Sequence, residues 1–309
     1  MKAMNSTYHI PVLLQESVDA LNIDPDGVYV DVTFGGGGHS KEILKRLGEK
    51  GKLFAFDKDA ASQVNIIDDP RFTFIHSDYR FLKNQLRFHG VVKIDGLLAD
   101  LGISSHQIDA GERGFSTRYN APLDMRMDRS AGLTAGEVVN TYSKEKLAEI
   151  LSQYGELKNA KRIAKTIVKY RNGKPIETTF DLIDAVRPHI PKKTEQKFLA
   201  KIFQAFRIEV NGELESLKRL LLQSADVIKP GGRLAVITYH SLEDRLVKRF
   251  IQSGNFEGEI EKDFYGNYYT PFKKAGKFIV PSREEIERNP RSRSAKLRVA
   301  ERNPERNGL

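Results

Sequence analysis

Cysteine is absent from the 309 residues. Disulfides, thiolate metal sites and cysteine nucleophiles are therefore excluded. No apolar run approaches the ~20 residues that a membrane-spanning helix needs. The first nine residues are polar, without the apolar core of a signal peptide. The expectation is a cytoplasmic protein that does not enter a membrane. The seven histidines are scattered, no metal-ligand spacing is visible, and no metal is expected. Two local absences matter more. No acid occurs from Leu157 to Pro175, and no strand-like run occurs between Asp100 and Arg233.

Charge and glycine are present instead. Fifty basic residues against 41 acidic ones leave a net charge of +9, which points to a polyanionic partner. Four consecutive glycines, Gly35 to Gly38, follow the β-branched run Val28-Tyr29-Val30-Asp31-Val32 and precede a helical pattern with Ile43, Leu44 and Leu47 on one face. Strand, glycine turn and helix open a nucleotide-binding α/β domain, because a ligand can approach backbone that has no Cβ and meet free N–H groups at the helix start. Asp57 follows ~20 residues on, where a carboxylate accepts the hydroxyls of a ribose. The dinucleotide pattern G-x-G-x-x-G/A fails at its last position, Ser40. Asp31 also places a negative charge just before the loop, which suits a cation better than a pyrophosphate. S-adenosylmethionine (SAM), with a sulfonium, an ammonium and no phosphate, fits better than a nicotinamide cofactor.

Strand-like runs at 28–32, 52–56, 72–76 and 94–99 are spaced for βαβ units, and a fifth lies at 233–238. A parallel crossover needs only a dozen or more residues, and the helical pattern at 211–228 supplies one. The chain length allows about two domains. The prediction is a doubly wound domain formed by 1–109 and 208–309, carrying an inserted helical domain at 110–207. Helical patterns fall at 144–153, 159–170, 179–186 and 197–206 within the insert and at 242–251 after it. A late strand is expected at 296–300.

Asp31, Asp57, Asp78 and Asp100 each fall at or just after a strand end, where open α/β sheets bind ligands. Asp100, in Gly96-Leu97-Leu98-Ala99-Asp100-Leu101-Gly102-Ile103-Ser104-Ser105, is expected nearest the reacting group; the competing reading is a helix cap. Tyr79 either lies on an adenine face, with Asp78 accepting from its amino group, or is a half-buried core residue. His240, in Tyr239-His240-Ser241, either contacts substrate or orients its loop. Arg113, Phe115, Arg118, Tyr119, Arg126 and Arg129 interleave cations with aromatics, a pattern that stacks bases and holds phosphates. Lys158, Lys161, Arg162, Lys165 and Lys169 fall within a ~100° arc of a helix, opposite Ala160, Ile163, Ala164, Ile167 and Tyr170. A stripe of one sign reads as a phosphate tracker, and Arg291, Arg293, Lys296 and Arg298 are expected to add to it.

His9-Ile10-Pro11-Val12-Leu13-Leu14, Asp31-Val32-Thr33-Phe34-Gly35-Gly36-Gly37-Gly38-His39-Ser40, the run from Asp100 to Ser105, Arg113-Gly114-Phe115-Ser116, Pro122-Leu123-Asp124-Met125-Arg126-Met127-Asp128 and His240-Ser241-Leu242-Glu243-Asp244-Arg245 together resemble the MraW family over nearly the whole chain. The resemblance implies a Rossmann-like SAM-dependent methyltransferase fold with a helical insert. It implies methylation of the N4 amine of one cytidine in the decoding region of 16S rRNA, within the small ribosomal subunit. It places cofactor contacts on Gly37, Gly38, His39, Asp57, Tyr79, Asp100 and Gln107, with Gly36 their neighbour. Asp100 and His240 are the candidates for catalysis. Amino-methyltransferases in general carry Asp/Asn/Ser-Pro-Pro-aromatic where this chain reads Asp100-Leu101-Gly102-Ile103, so their residue-level mechanism does not transfer. A DNA amino-methyltransferase and a non-catalytic ribosome-assembly factor are the alternatives.

Overall fold

The structure is a computed structural model that describes residues 11–104, 107, 111–130, 132–262 and 264–305. Of the residues singled out above, His9, Ile10 and Ser105 lie outside it. The chain forms two compact units, Met1–Gly102 with Glu215–Leu309, and Ile103–Leu214.

The first unit is built on a seven-stranded sheet of β1 (Val28–Asp31), β2 (Lys52–Asp57), β3 (Phe72–His76), β4 (Ile94–Leu101), β5 (Ile228–Thr238), β6 (Phe272–Lys274) and β7 (Lys296–Arg302). Their order is β3-β2-β1-β4-β5-β7-β6. β1 to β5 run parallel, and β7 is antiparallel to both of its neighbours.

Successive residues of a strand face opposite sides of a sheet, and here both sides are apolar. Val30, Phe54, Phe56, Leu97, Ala99, Leu234 and Val236 share one cluster with helices α3 (Leu82–Phe88), α9 (Glu213–Val227) and α10 (Ser241–Ser253). Their alternates Tyr29, Leu53, Leu98, Ala235 and Ile237 share another with α1 (Leu14–Ala20) and α2 (Gly38–Arg46). Burial on both faces explains why these strands read as continuous apolar runs. The fold is α/β and Rossmann-like. The sheet winds outward from β1 through β2 to β3, and the other way from β4 to β5, so its switch point lies between β1 and β4. Ligands of doubly wound sheets bind beyond the strand ends at that point.

The second unit holds α4 (Ala135–Thr141), α5 (Lys144–Gln153), α6 (Ala160–Arg171), α7 (Thr179–Val186) and α8 (Glu195–Asn211) around a single apolar cluster. Thr134 with Glu137 and Thr178 with Asp181 form capping boxes that start α4 and α7, each cap contributing ~1 kcal/mol. Gly212, at φ 58°, ends α8 in the left-handed conformation that favours glycine.

Candidate active site at the switch point

The glycine turn is held from below by a buried acid. Asp31 accepts from the Thr33 N–H at 3.0 Å through one oxygen and from the Ser40 hydroxyl at 2.7 Å through the other. One carboxylate thus ties the end of β1 to the first turn of α2. The serine that breaks the dinucleotide pattern is a structural partner of Asp31. Gly35 and Gly37 sit at φ 50° and 74°. A Cβ on Gly38 would overlap the Pro11 ring, whereas a Cβ on Gly36 would meet nothing within 4 Å. Gly36 is therefore the open side of the turn. α2 begins at Gly38, so the N–H groups of its first turn lack intrahelical partners.

Asp57 closes the end of β2. Its Oδ2 accepts from the Gly35 N–H and its Oδ1 from the Asp59 N–H, each at 2.8 Å. Each oxygen keeps a lone pair for a further donor. Burial pushes this carboxyl up to about 6, against the pull of those two N–H bonds.

Asp78 is placed differently from the expectation. It caps the turn Tyr79–Phe81, accepting from the Arg80 N–H and guanidinium at 2.8 Å each, with the Lys58 ammonium at 3.8 Å. Its nearest partners are therefore Arg80 and Lys58. Tyr79 is half-buried against the apolar cluster beneath it.

Asp100 terminates the site on β4. Its N–H donates to Thr33 Oγ1 at 2.7 Å, and its Oδ1 accepts from the Tyr239 hydroxyl at 2.8 Å. His39 is buried on α2, with Nε2 3.2 Å from the Val12 carbonyl. That carbonyl can only accept, so Nε2 carries a hydrogen. Nδ1 then faces Asp100 Oδ2 at 4.0 Å. The Asp100 side chain is one-fifth exposed, so it is largely enclosed yet open on one side. Burial raises this carboxyl above its usual range; His39 and the Tyr239 hydroxyl pull it down, and Asp31 and Glu243 push it up. Burial and Asp100 together hold the Tyr239 phenol well above its ordinary value, so it stays a donor.

His240 is the N-cap of α10: its Nδ1 accepts from the Glu243 N–H at 3.4 Å, and its own N–H donates back to Glu243. Glu243 also accepts from the Tyr239 N–H at 2.9 Å. The cap therefore holds the peptide that carries Tyr239. In the sequence, Tyr239 stands out only as a neighbour of His240. The strand end was its one local signal.

The other candidates belong to the second unit or to the tail. Gln107 is buried, and its side-chain carbonyl accepts from the Ser104 N–H. Phe115 is buried in the helical cluster, with the Arg113 guanidinium 5.8 Å from its ring centre, and Arg113 donates to the Arg126 and Met127 carbonyls. Neither is placed to stack a base; Arg118, Tyr119 and Arg129 are the exposed members of that pattern, with Arg129 3.7 Å from Asp124. Arg126 is paired with Asp124. On α6 and just before it, Lys158, Lys161, Arg162, Lys165 and Lys169 are exposed, while Ala160, Ile163, Ala164 and Ile167 are buried. None of the five is ion-paired to a carboxylate among the described residues. In the tail, Arg298 and Lys296 are tied to Asp244.

The model of the MraW methylase family matches residues 6–303. A Bacteroides fragilis protein named ribosomal RNA small subunit methyltransferase H is 57% identical over 303 residues, covering 98% of this chain and all of that protein. A protein of the same name from Flavobacterium johnsoniae is 59% identical over 295 residues, covering 96% of this chain and 98% of that one. A crystal structure described as a putative rRNA-methylase from Clostridium thermocellum aligns over 95% of this chain and 99% of its own, at 11% identity and a TM-score of 0.44.

Proposed function

The chain belongs to the MraW methylase family, and from that premise we propose that it uses SAM to methylate the N4 amine of one cytidine in the decoding region of 16S rRNA. The observation that carries this reading is the set of groups around the switch point. Gly36 has an open side, Asp57 keeps one lone pair on each oxygen, and Asp100 is enclosed but for one face.

These groups fit SAM. Asp57 would accept from the ribose hydroxyls, Gly36 to His39 would meet the ligand along bare backbone, and Tyr79 would cover the adenine. Gln107 is a further proposed contact. When bound, SAM supplies an electrophilic methyl group on a sulfonium.

The protein's own contribution is to orient the amine and relieve it of a proton. The N4 lone pair of cytosine is delocalised into the ring, so a hydrogen-bond acceptor on its N–H is needed to localise it. Asp100 Oδ2 is that acceptor. Tyr239 holds Oδ1 through a bond to a charged acceptor, worth ~1.5–3 kcal/mol, so the carboxylate meets substrate in one orientation. Its raised pKa suits it to take the proton that the amine sheds. His240 acts through its loop, holding Tyr239 rather than touching the base. The target base must leave its stack to reach such a site. The stripe beside α6 would hold phosphates.

The test is methyl transfer from labelled SAM onto small subunits taken from cells lacking the protein, with the modified base mapped. Label on the N4 of one cytidine of 16S rRNA is expected. Label on DNA but not RNA would overturn the substrate, and RNA binding without label would leave a non-catalytic assembly factor.

A further inference from the structure

A cleft of about 180 Å³ in the first unit plays no part in the site above. It is lined by Lys248, Ile251 and Gln252 of α10, by Lys274, Gly276 and Phe278, and by Arg298 and Val299 of β7. The first three are spaced i, i+3, i+4, which puts them on one helix face. The opposite wall is anchored: the Ala275 N–H donates to the Val299 carbonyl, and Ile279 and Leu297 exchange hydrogen bonds at 2.9 Å.

The cleft has three cations and no acid among its lining residues. They are not alike. Arg298 is bound to Asp244 at 2.6 and 3.1 Å. That pairing overcomes the burial of Asp244 and holds its carboxyl below the usual range. Arg298 is therefore neutralised in place, and it lies 5.4 Å from the centre of the Phe278 ring. Lys248 and Lys274 are exposed and carry no ion pair or side-chain hydrogen bond among the described residues. Phe278, half of whose surface is exposed at 49%, is the aromatic member of the lining, with the Lys296 ammonium also 5.7 Å from its ring centre; Ile251 and Val299 are the aliphatic members.

An apolar slot with an aromatic wall and two unanswered ammonium groups matches the repeating unit of single-stranded RNA, a flat base next to a phosphate. We infer that this cleft is a second RNA contact, taking one unpaired nucleotide with its base against Phe278 and its flanking phosphates on Lys248 and Lys274. The inference rests on RNA being the substrate. It assigns RNA binding to the unit that carries the chemistry, independently of the stripe beside α6. Of the tail cations expected to add to that stripe, Lys296 and Arg298 are answered by Asp244.

The experiment compares the full chain with two variants, Lys248→Gln combined with Lys274→Gln, and Phe278→Ala. Each is titrated with a 16S rRNA transcript over a range of salt, with melting temperature and SAM affinity measured alongside. Loss of two phosphate contacts on a single strand should flatten the slope of log affinity against log salt by up to ~1.4. Loss of base stacking should weaken binding by about 5- to 150-fold with the slope unchanged. SAM affinity should not move. Folded variants that keep both the affinity and the slope of the unmodified chain would overturn the cleft alone, provided that chain binds and methylates the RNA. An unmodified chain that neither binds nor methylates it would overturn the cleft together with the substrate. Crosslinks from position 278 to a ribosomal protein rather than to RNA in whole subunits would also overturn it.

Discussion

The two units use charge in opposite ways. In the first, Asp31, Asp57 and Asp100 are removed from most or all contact with solvent, and each is held by hydrogen bonds from its neighbours. In the second, Lys158, Lys161, Arg162, Lys165 and Lys169 stand in solvent along one helix face, and none is ion-paired to an acid among the described residues. Enclosed charges are little screened and fixed in direction, which suits recognition of a small ligand and the steering of one proton. Exposed cations are screened within ~10 Å at moderate salt. They suit a large polyanion, whose affinity they set without reading its sequence. The comparison teaches that ligand selection and polyanion attraction need different environments, and that the enclosed acids and the α6 stripe are two such environments.

The sharpest way to break this contrast is at Asp100. Asp100→Ala should lower methyl transfer at least ~100-fold, the scale of a lost proton acceptor, with SAM affinity changed far less. Asp100→Asn, which keeps one acceptor oxygen, should retain part of the rate in the same single-turnover assay. Wild-type turnover by Asp100→Ala would move the acceptor elsewhere.

Asp57 gives the next effect. Calorimetry of Asp57→Ala should show SAM affinity weakened about tenfold or more, from the loss of hydrogen bonds to a charged group. With its carboxyl at about 6, the ionised form dominates at neutral pH and is lost as pH falls. Affinity should therefore fall as pH drops through that value, levelling off at a loss no greater than that of Asp57→Ala. Asp57→Asn should lack this step.

Tyr239→Phe removes one of the bonds that hold Asp100 charged. The rate should fall ~10-fold while SAM affinity stays within about twofold, and the acid limb of the rate profile should move to higher pH, because the lost bond had favoured the ionised carboxylate. A lowered rate with an unmoved limb would reduce Tyr239 to packing.

What was legible in the sequence was local. The glycine turn, the strands that feed it and Asp57 lie within one strand–turn–helix–strand stretch, and burial on both faces made β1, β2 and the second half of β5 apolar runs. β3 at Phe72–His76 and helices α5 and α7 begin and end at the residues read from their patterns. β6 escaped because only Phe272 of its three residues is buried. The partnership of Tyr239 with Asp100 escaped because 139 residues separate them, and only strand order brings β4 and β5 side by side. Burial of Phe115 and Arg113 escaped for a related reason. An Arg–aromatic alternation looks the same whether a helical core or an RNA will cover it.

The division of labour is tested most directly by replacing Lys161, Lys165 and Lys169 with Gln and measuring two quantities on the same preparation, RNA affinity across salt and SAM affinity by calorimetry. The salt slope should fall by up to ~0.9 for each lost contact on a duplex-like partner, with SAM affinity and the methylated position unchanged. An unchanged slope and RNA affinity would make the stripe a solvated face, and a loss of SAM affinity would contradict the separation of the two roles.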